Sequence, residues 1–145
     1  AVTDAIATVQ GQSTTNPTAV AQVAAAAALR GPRDSLVAMR EAFARRRKLM
    51  VEGLRSIPGI SCRMPDGAFY AFPDVRGLYG LPNAGRTLAT DEDVASWLLD
   101  EVRVVSVAGT PFGAPGYLRF SYACSDDDVR DGLEAIRGLV TRASG

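Results

Sequence analysis

Gly109-Thr110-Pro111-Phe112-Gly113-Ala114-Pro115-Gly116 leads into Tyr117-Leu118-Arg119-Phe120-Ser121-Tyr122-Ala123, and Ser125-Asp126-Asp127-Asp128 follows almost at once. Side chains of a strand alternate between its two faces, so the two-residue period puts Leu118, Phe120 and Tyr122 on one face and Arg119 with Ser121 on the other. The first set reads as a face turned into a core. Ser125 and Asp128 form a capping box, and Val129, Leu133, Ile136 and Val140 recur at steps of four, three and four, which predicts a helix laid on that core. The glycines ahead of the strand match neither the dinucleotide fingerprint nor the P-loop, whose lysine is missing, and read as turn glycines.

Working back from that segment, Thr90 with Asp93 predicts a second capped helix that turns Val94, Trp97, Leu98 and Val102 to one side, with a strand over residues 103–107 after it. Residues 73–89 carry Gly77, Gly80, Pro82 and Gly85 and read as a long surface connection. Residues 60–64 and 67–72 read as two short strands joined across the turn pair Pro65-Asp66. A long helix is predicted from Asp34 to Ile57, with Leu36, Met39, Phe43, Met50 and Leu54 on its apolar side, ended by Pro58-Gly59. Before it, Asn16-Pro17 reads as the entry of an alanine-rich helix that Gly31-Pro32 stops, and residues 1–10 read as the tail of another helix ended by Gly11. The order after residue 34 is helix, strand, strand, helix, strand, strand, helix. That order predicts an α+β fold, a small sheet covered by helices. Leu36, Phe43, Leu54, Trp97, Leu118, Phe120, Leu133 and Ile136 are the expected core.

The chain has 145 residues, 16 basic and 16 acidic, and 47% hydrophobic residues. A chain of this length and usage buries a real core and is expected to be folded and soluble. Its cancelled charge offers no general attraction to nucleic acid or to an anionic membrane, so neither is expected as a partner. The run Arg45-Arg46-Arg47-Lys48 is expected to be a solvated helix face. No apolar run is long enough to span a bilayer, and the first residues have no signal-peptide pattern, which makes the cytoplasm the expected compartment. Cys62 and Cys124 have no metal-ligand spacing and there is no histidine, so a metal site is not expected and both cysteines read as buried free thiols.

Chemistry has few places to live. Without histidine, triads built on it are excluded. Lys48 stands beside three arginines on a helix and is a poor candidate for a Schiff base. Asp126, Asp127 and Asp128 are accounted for by a helix N-terminus, where negative charge is favoured. Arg119 stands apart, mid-strand between large apolar residues. On pattern alone it is either an edge charge in solvent or a bidentate receptor for a carboxylate or phosphate.

Three stretches in this order resemble class I/II aminotransferases of the pyridoxal-phosphate fold type I, of the aspartate aminotransferase kind. They are Gln12-Ser13-Thr14-Thr15-Asn16-Pro17, then Asp66-Gly67-Ala68-Phe69-Tyr70-Ala71-Phe72, then residues 109–113 with Leu118-Arg119-Phe120-Ser121-Tyr122-Ala123. The resemblance covers essentially the whole chain. It implies that Arg119 binds the α-carboxylate of an amino-acid substrate, that Phe69 walls the substrate pocket, and that Thr15 and Asn16 approach the cofactor phosphate of a neighbouring subunit.

In that family the Schiff-base lysine, the acidic partner of the pyridine nitrogen and the main phosphate-binding groups precede the part that this chain resembles. The resemblance therefore implies a C-terminal portion: residues 1–33 as the last helices of the large cofactor-binding domain, and residues 34–145 as the small domain. It implies transamination between an amino acid and a 2-oxo acid in a homodimeric parent that uses pyridoxal 5′-phosphate. No catalytic residue is expected in this portion, and it is expected to bind no cofactor and to be inactive alone. A related fold type I lyase or synthase, or an autonomous carboxylate-binding regulatory domain, fits the same residues.

Overall fold

The computed structural model of the chain describes residues 1–13, 17–83 and 85–145. It divides into two compact units, Ala1–Val37 and Ala38–Gly145. The first contains α1 (Val2–Ser13), α2 (Ala19–Arg30) and the first turn of α3 (Asp34–Arg55). Neither α1 nor α2 has a buried residue. Gly11 does not end α1, which continues to Ser13. A helical glycine costs only about 1 kcal/mol relative to alanine, too little to act as a stop by itself. The cap of α2 is Thr18, whose hydroxyl accepts from Ala21 N–H, so the helix begins at Ala19 rather than at Pro17. Asn16, the expected cap, lies outside the described residues.

The second unit holds the rest of α3, followed by β1 (Tyr70–Ala71), a 3-10 turn at Arg76–Leu78, β2 (Pro82–Asn83) and β3 (Arg86–Thr87). After these come α4 (Asp91–Val102), β4 (Val107–Ala108), a 3-10 turn at Thr110–Phe112, β5 (Leu118–Ser121) and α5 (Asp126–Ala143). An antiparallel sheet of order β1-β5-β4 lies at its centre, and β2 with β3 forms a separate two-stranded ribbon. The architecture is α+β, as expected. Leu118, Phe120 and Tyr122 are buried in one core with Met50, Val51 and Leu54 of α3, Val94, Trp97 and Leu98 of α4, and Val129, Leu133 and Ile136 of α5. Both capping boxes form, Thr90 with Asp93 and Ser125 with Asp128. Gly53 lets α3 and α5 meet closely: a Cβ there would stand 2.3 Å from a methyl of Leu133.

Several expectations fail for identifiable reasons. The hairpin over 60–72 does not form. Pro65 has no N–H to give, Ala68 takes a left-handed φ of 62°, and β1 pairs with β5 through Tyr70↔Ser121 and Ala71↔Phe120. Residues 60–64 contribute only an isolated bridge between Ser61 and Asp74. The strand expected over 103–107 is reduced to Val107–Ala108, because Arg103 adopts a left-handed cap with its N–H on the carbonyls of Leu98 and Leu99. The connection 73–89 is not all surface, since Val75, Leu78 and Leu88 are buried. Leu36, expected in the core, is 60% exposed and Phe43 is half-buried. Cys62 is buried but Cys124 is exposed, in the short turn between β5 and α5.

The basic run is also more engaged than expected. Arg45 and Arg46 both donate to Asp126, at 2.7 and 2.8 Å, and Arg47 donates to the carbonyl of Pro65. Only Lys48 remains a solvated charge, 3.9 Å from Glu52. The hydrogen bonds from Arg45 and then Arg46 hold the Asp126 carboxyl down from 3.8 to about 2. A carboxylate depressed in the folded state adds stability that is present above its unfolded value and is lost as pH falls toward its folded value.

Two measurements test this account. In urea, Leu133→Ala is expected to cost about 2–5 kcal/mol, as for a filled core position, whereas Leu36→Ala should change stability by less than about 0.5 kcal/mol. Wild type and Asp126→Asn should differ in urea midpoint at neutral pH, and the difference should fade as the pH is lowered from about 4 toward 2, where Asp126 takes up its proton.

Candidate functional site

The strand that fills the core with one face presents Arg119 on the other. Antiparallel register puts Val107 opposite Arg119 and Tyr70 opposite Ser121, so these four residues share the face that looks away from the buried Leu118 and Phe120. The guanidinium carbon of Arg119 lies 4.7 Å from the centre of the Tyr70 ring and 4.9 Å from that of Phe112. Phe112 is itself 53% exposed. Such contacts attract the cation without giving its N–H donors an oxygen partner.

Three arginines are half-buried among the described residues: Arg46, Arg47 and Arg119. Arg46 donates to Asp126 and Arg47 to Pro65, whereas Arg119 has neither a hydrogen bond nor an ion pair with any described side chain or carbonyl. A half-buried cation that the protein leaves unneutralised is poised to receive an anion from outside, and its planar fork fits a carboxylate at two points.

The loop that carries Phe112 is held by Asp91, the first residue of α4 and 1% exposed. Its carboxylate accepts from Thr110 N–H at 2.8 Å, from the Thr110 hydroxyl at 2.8 Å and from Gly116 N–H at 3.2 Å. Burial by itself pushes this carboxyl up and is the largest single influence. The donors from Thr110 and Gly116 together outweigh it, and Asp91 titrates below its ordinary value. Gly109 allows the loop to fold onto itself, since a Cβ there would stand 2.2 Å from the carbonyl oxygen of Ala114.

Phe69 precedes Tyr70 and is 41% exposed. Its ring packs on Tyr70 at 4.2 Å and on Phe43 at 6.5 Å. Thr15 and Asn16 lie outside the described residues. Reasoning from the sequence missed Tyr70, Phe112 and Asp91. Tyr70 and Phe112 lie inside the stretches 66–72 and 109–113, but the β1–β5 register that brings Tyr70 beside the strand of Arg119 is a long-range pairing. Asp91 was hidden within the capping box that surrounds it. A recess of about 460 Å³ bounded by Arg40, Phe43, Arg47, Asp66, Ala68 and Tyr122 does not include Arg119.

Comparison with known proteins gives the family. The family described as aminotransferase class I and II matches residues 1–136. This chain belongs to that family. The aspartate aminotransferase of Rhizobium meliloti (strain 1021) is 41% identical over 141 residues, which are 97% of this chain and 34% of that protein. The aspartate/prephenate aminotransferase of Cereibacter sphaeroides is 44% identical over 97% of this chain and 35% of its own. The chain thus spans about a third of the length of the curated aminotransferases it matches. Among solved structures, the aspartate aminotransferase from Rhizobium meliloti superposes with a TM-score of 0.87 at 40% identity, over 96% of this chain and 35% of that one. The alanine aminotransferase from Pyrococcus furiosus does so with a TM-score of 0.76 at 28% identity, over 87% and 30%.

The loop clamp in this aminotransferase chain is directly testable. Asp91→Asn keeps the shape but swaps an acceptor for an amide donor facing the Thr110 and Gly116 donors. It is expected to destabilise by about 1–3 kcal/mol, the cost of buried polar groups left unsatisfied. Amide hydrogen exchange should show Thr110 and Gly116 losing protection first.

Proposed function

We propose that the chain is the C-terminal part of a pyridoxal-phosphate-dependent aminotransferase of the aspartate aminotransferase kind, and that Arg119 receives the α-carboxylate of the amino acid or 2-oxo acid. The observation that carries this reading is the half-buried Arg119 guanidinium, within 5 Å of the Tyr70 and Phe112 ring centres yet unpaired among the described residues. A carboxylate docked on its edge fixes two atoms of the substrate, and the Cα–H bond is thereby held in one direction. Phe69 supplies an apolar wall that limits water beside the ion pair.

The chain's one lysine does not fit the Schiff base of the cofactor. Lys48 is an exposed residue of α3 beside Glu52, not a desolvated amine of the kind a Schiff base favours. The reading therefore assigns pyridoxal 5′-phosphate, which supplies the carbanion chemistry in such enzymes, to parts of the parent enzyme outside this chain. In that parent, residues 1–33 belong to the large domain and residues 34–145 form the small domain. The parent is a cytoplasmic homodimer, and Thr15 and Asn16 face the cofactor phosphate of the neighbouring subunit. The chain alone is inactive.

In the full-length enzyme, Arg119→Ala is expected to lower kcat/KM for amino-acid substrates roughly 30- to several-thousand-fold, which corresponds to about 2–5 kcal/mol for truncating one member of a buried charge pair. Arg119→Lys should also be poor, because one ammonium cannot reproduce a planar two-point contact. The visible spectrum of the bound cofactor should survive both changes. A change within about twofold for Arg119→Ala would return Arg119 to the role of a surface strand charge.

A further inference from the structure

An unpaired arginine on a sheet face needs something to hold its long side chain in one direction, because an Arg carries large rotamer freedom that a carboxylate must otherwise quench on binding. An acidic neighbour would hold it but would also neutralise it and occupy its donors. Aromatic faces do neither. Here one ring comes from β1, on one side of β5, and the other from the turn after β4, on its other side, each within 5 Å of the guanidinium carbon at 4.7 and 4.9 Å.

Both rings are themselves fastened. Tyr70 is placed by its pairing with Ser121 and by Phe69, whose ring lies 4.2 Å from it and 6.5 Å from Phe43 of α3. Phe112 ends the 3-10 turn Thr110–Phe112, its N–H on the Gly109 carbonyl at 2.8 Å, while Thr110 is gripped twice by Asp91. The turn closes on Gly113, whose φ of 72° lies in the left-handed region that favours glycine.

We propose that Tyr70 and Phe112 are positioning residues that clamp the faces of the Arg119 guanidinium and so present its N–H edge, already oriented, to a substrate carboxylate. This rests on the reading of Arg119 as the carboxylate receptor. The contribution lies in preorganisation: the rings touch Arg119 and not the carboxylate, so their effect passes wholly through the arginine. Phe69 acts one step further back, as a prop for Tyr70.

In the full-length enzyme with its cofactor, Tyr70→Leu and Phe112→Leu are each expected to lower kcat/KM for amino-acid substrates about 5- to 30-fold, chiefly through KM, as fits the loss of a partly desolvated cation–π contact. Tyr70→Phe keeps a ring and should stay within about twofold. A primary amine of the same skeleton that lacks the carboxylate offers Arg119 nothing, so its single-turnover rate should be unchanged in all three variants. In an Arg119→Ala background the two leucine changes should have no further effect.

The 145-residue chain supplies a readout free of catalysis. The order parameter of the Arg119 Nε–H should fall from the rigid range near 0.85 to below about 0.6 in the Tyr70→Leu/Phe112→Leu double variant. Equal losses for amino acid and amine would overturn the clamp, as would an Arg119 that stays ordered without its rings. If Arg119→Ala is crippled while the leucine variants are intact, the clamp fails and the receptor reading stands. If Arg119→Ala itself is harmless, the receptor reading fails and takes the clamp with it.

Discussion

Burying Leu118, Phe120 and Tyr122 beneath the helices forces Arg119 to the opposite face of β5, because successive residues of a strand cannot point the same way. That alternation is the constraint on which the rest of the second unit depends. β5 is the central strand, so its two neighbours inherit the same division of faces through Tyr70↔Ser121 and Val107↔Arg119. A slip of one residue would drive a guanidinium into the core among Leu54, Val94 and Ile136 and expel Phe120 into water. The apolar core thus does more than stabilise: it sets the direction of Arg119, the arginine proposed to receive a carboxylate.

A second constraint works at right angles to the first. Asp91 is the only charged residue among the described ones that is fully buried, and it stabilises a turn rather than an ion pair. Desolvation disfavours its carboxylate, yet three N–H and O–H donors from Thr110 and Gly116 compensate. Because the charge-assisted bonds run from the start of α4 to both ends of the loop, the loop's conformation follows that of the helix. The aromatic ring at its tip is then placed relative to β5, although no strand pairing reaches it.

Those two layers differ in how far they were legible. The β5 alternation, both capping boxes and the spacing of α5 are local patterns, each contained within about four to fifteen residues, and the structure keeps all of them. What failed was long-range. Ile60 and Cys62 are buried like strand residues, yet the backbone partner of the neighbouring 70–71 segment lies fifty residues away in β5. Leu36 belongs to the apolar period of α3 but precedes the stretch whose buried residues begin at Met50, so a helix-face count assigned it to a core it does not enter. For the site, Arg119 stood out by residue type. Its aromatic flanks did not, because Tyr70 and Phe112 look like ordinary core residues until the register is known.

Several arginines of the unit have an oxygen partner that Arg119 lacks. Arg45 and Arg46 are spent on Asp126, Arg55 on the carbonyl of Cys62, Arg76 on Asp74 and Arg130 on Asp127. In each case the partner is a protein oxygen, and the fold gains a tie between segments or within a turn. If a carboxylate of the chain stood beside Arg119 in the same manner, a diffusing carboxylate would have to displace it and strand a charge on a half-buried face, at a cost that would consume most of its own binding energy. Aromatic faces avoid that competition, since their attraction to the cation adds to that of an in-plane anion instead of replacing it. A site that takes up and releases a carboxylate, as proposed for Arg119, is better served by rings than by a resident counter-ion, and Arg119 lies within 5 Å of two rings.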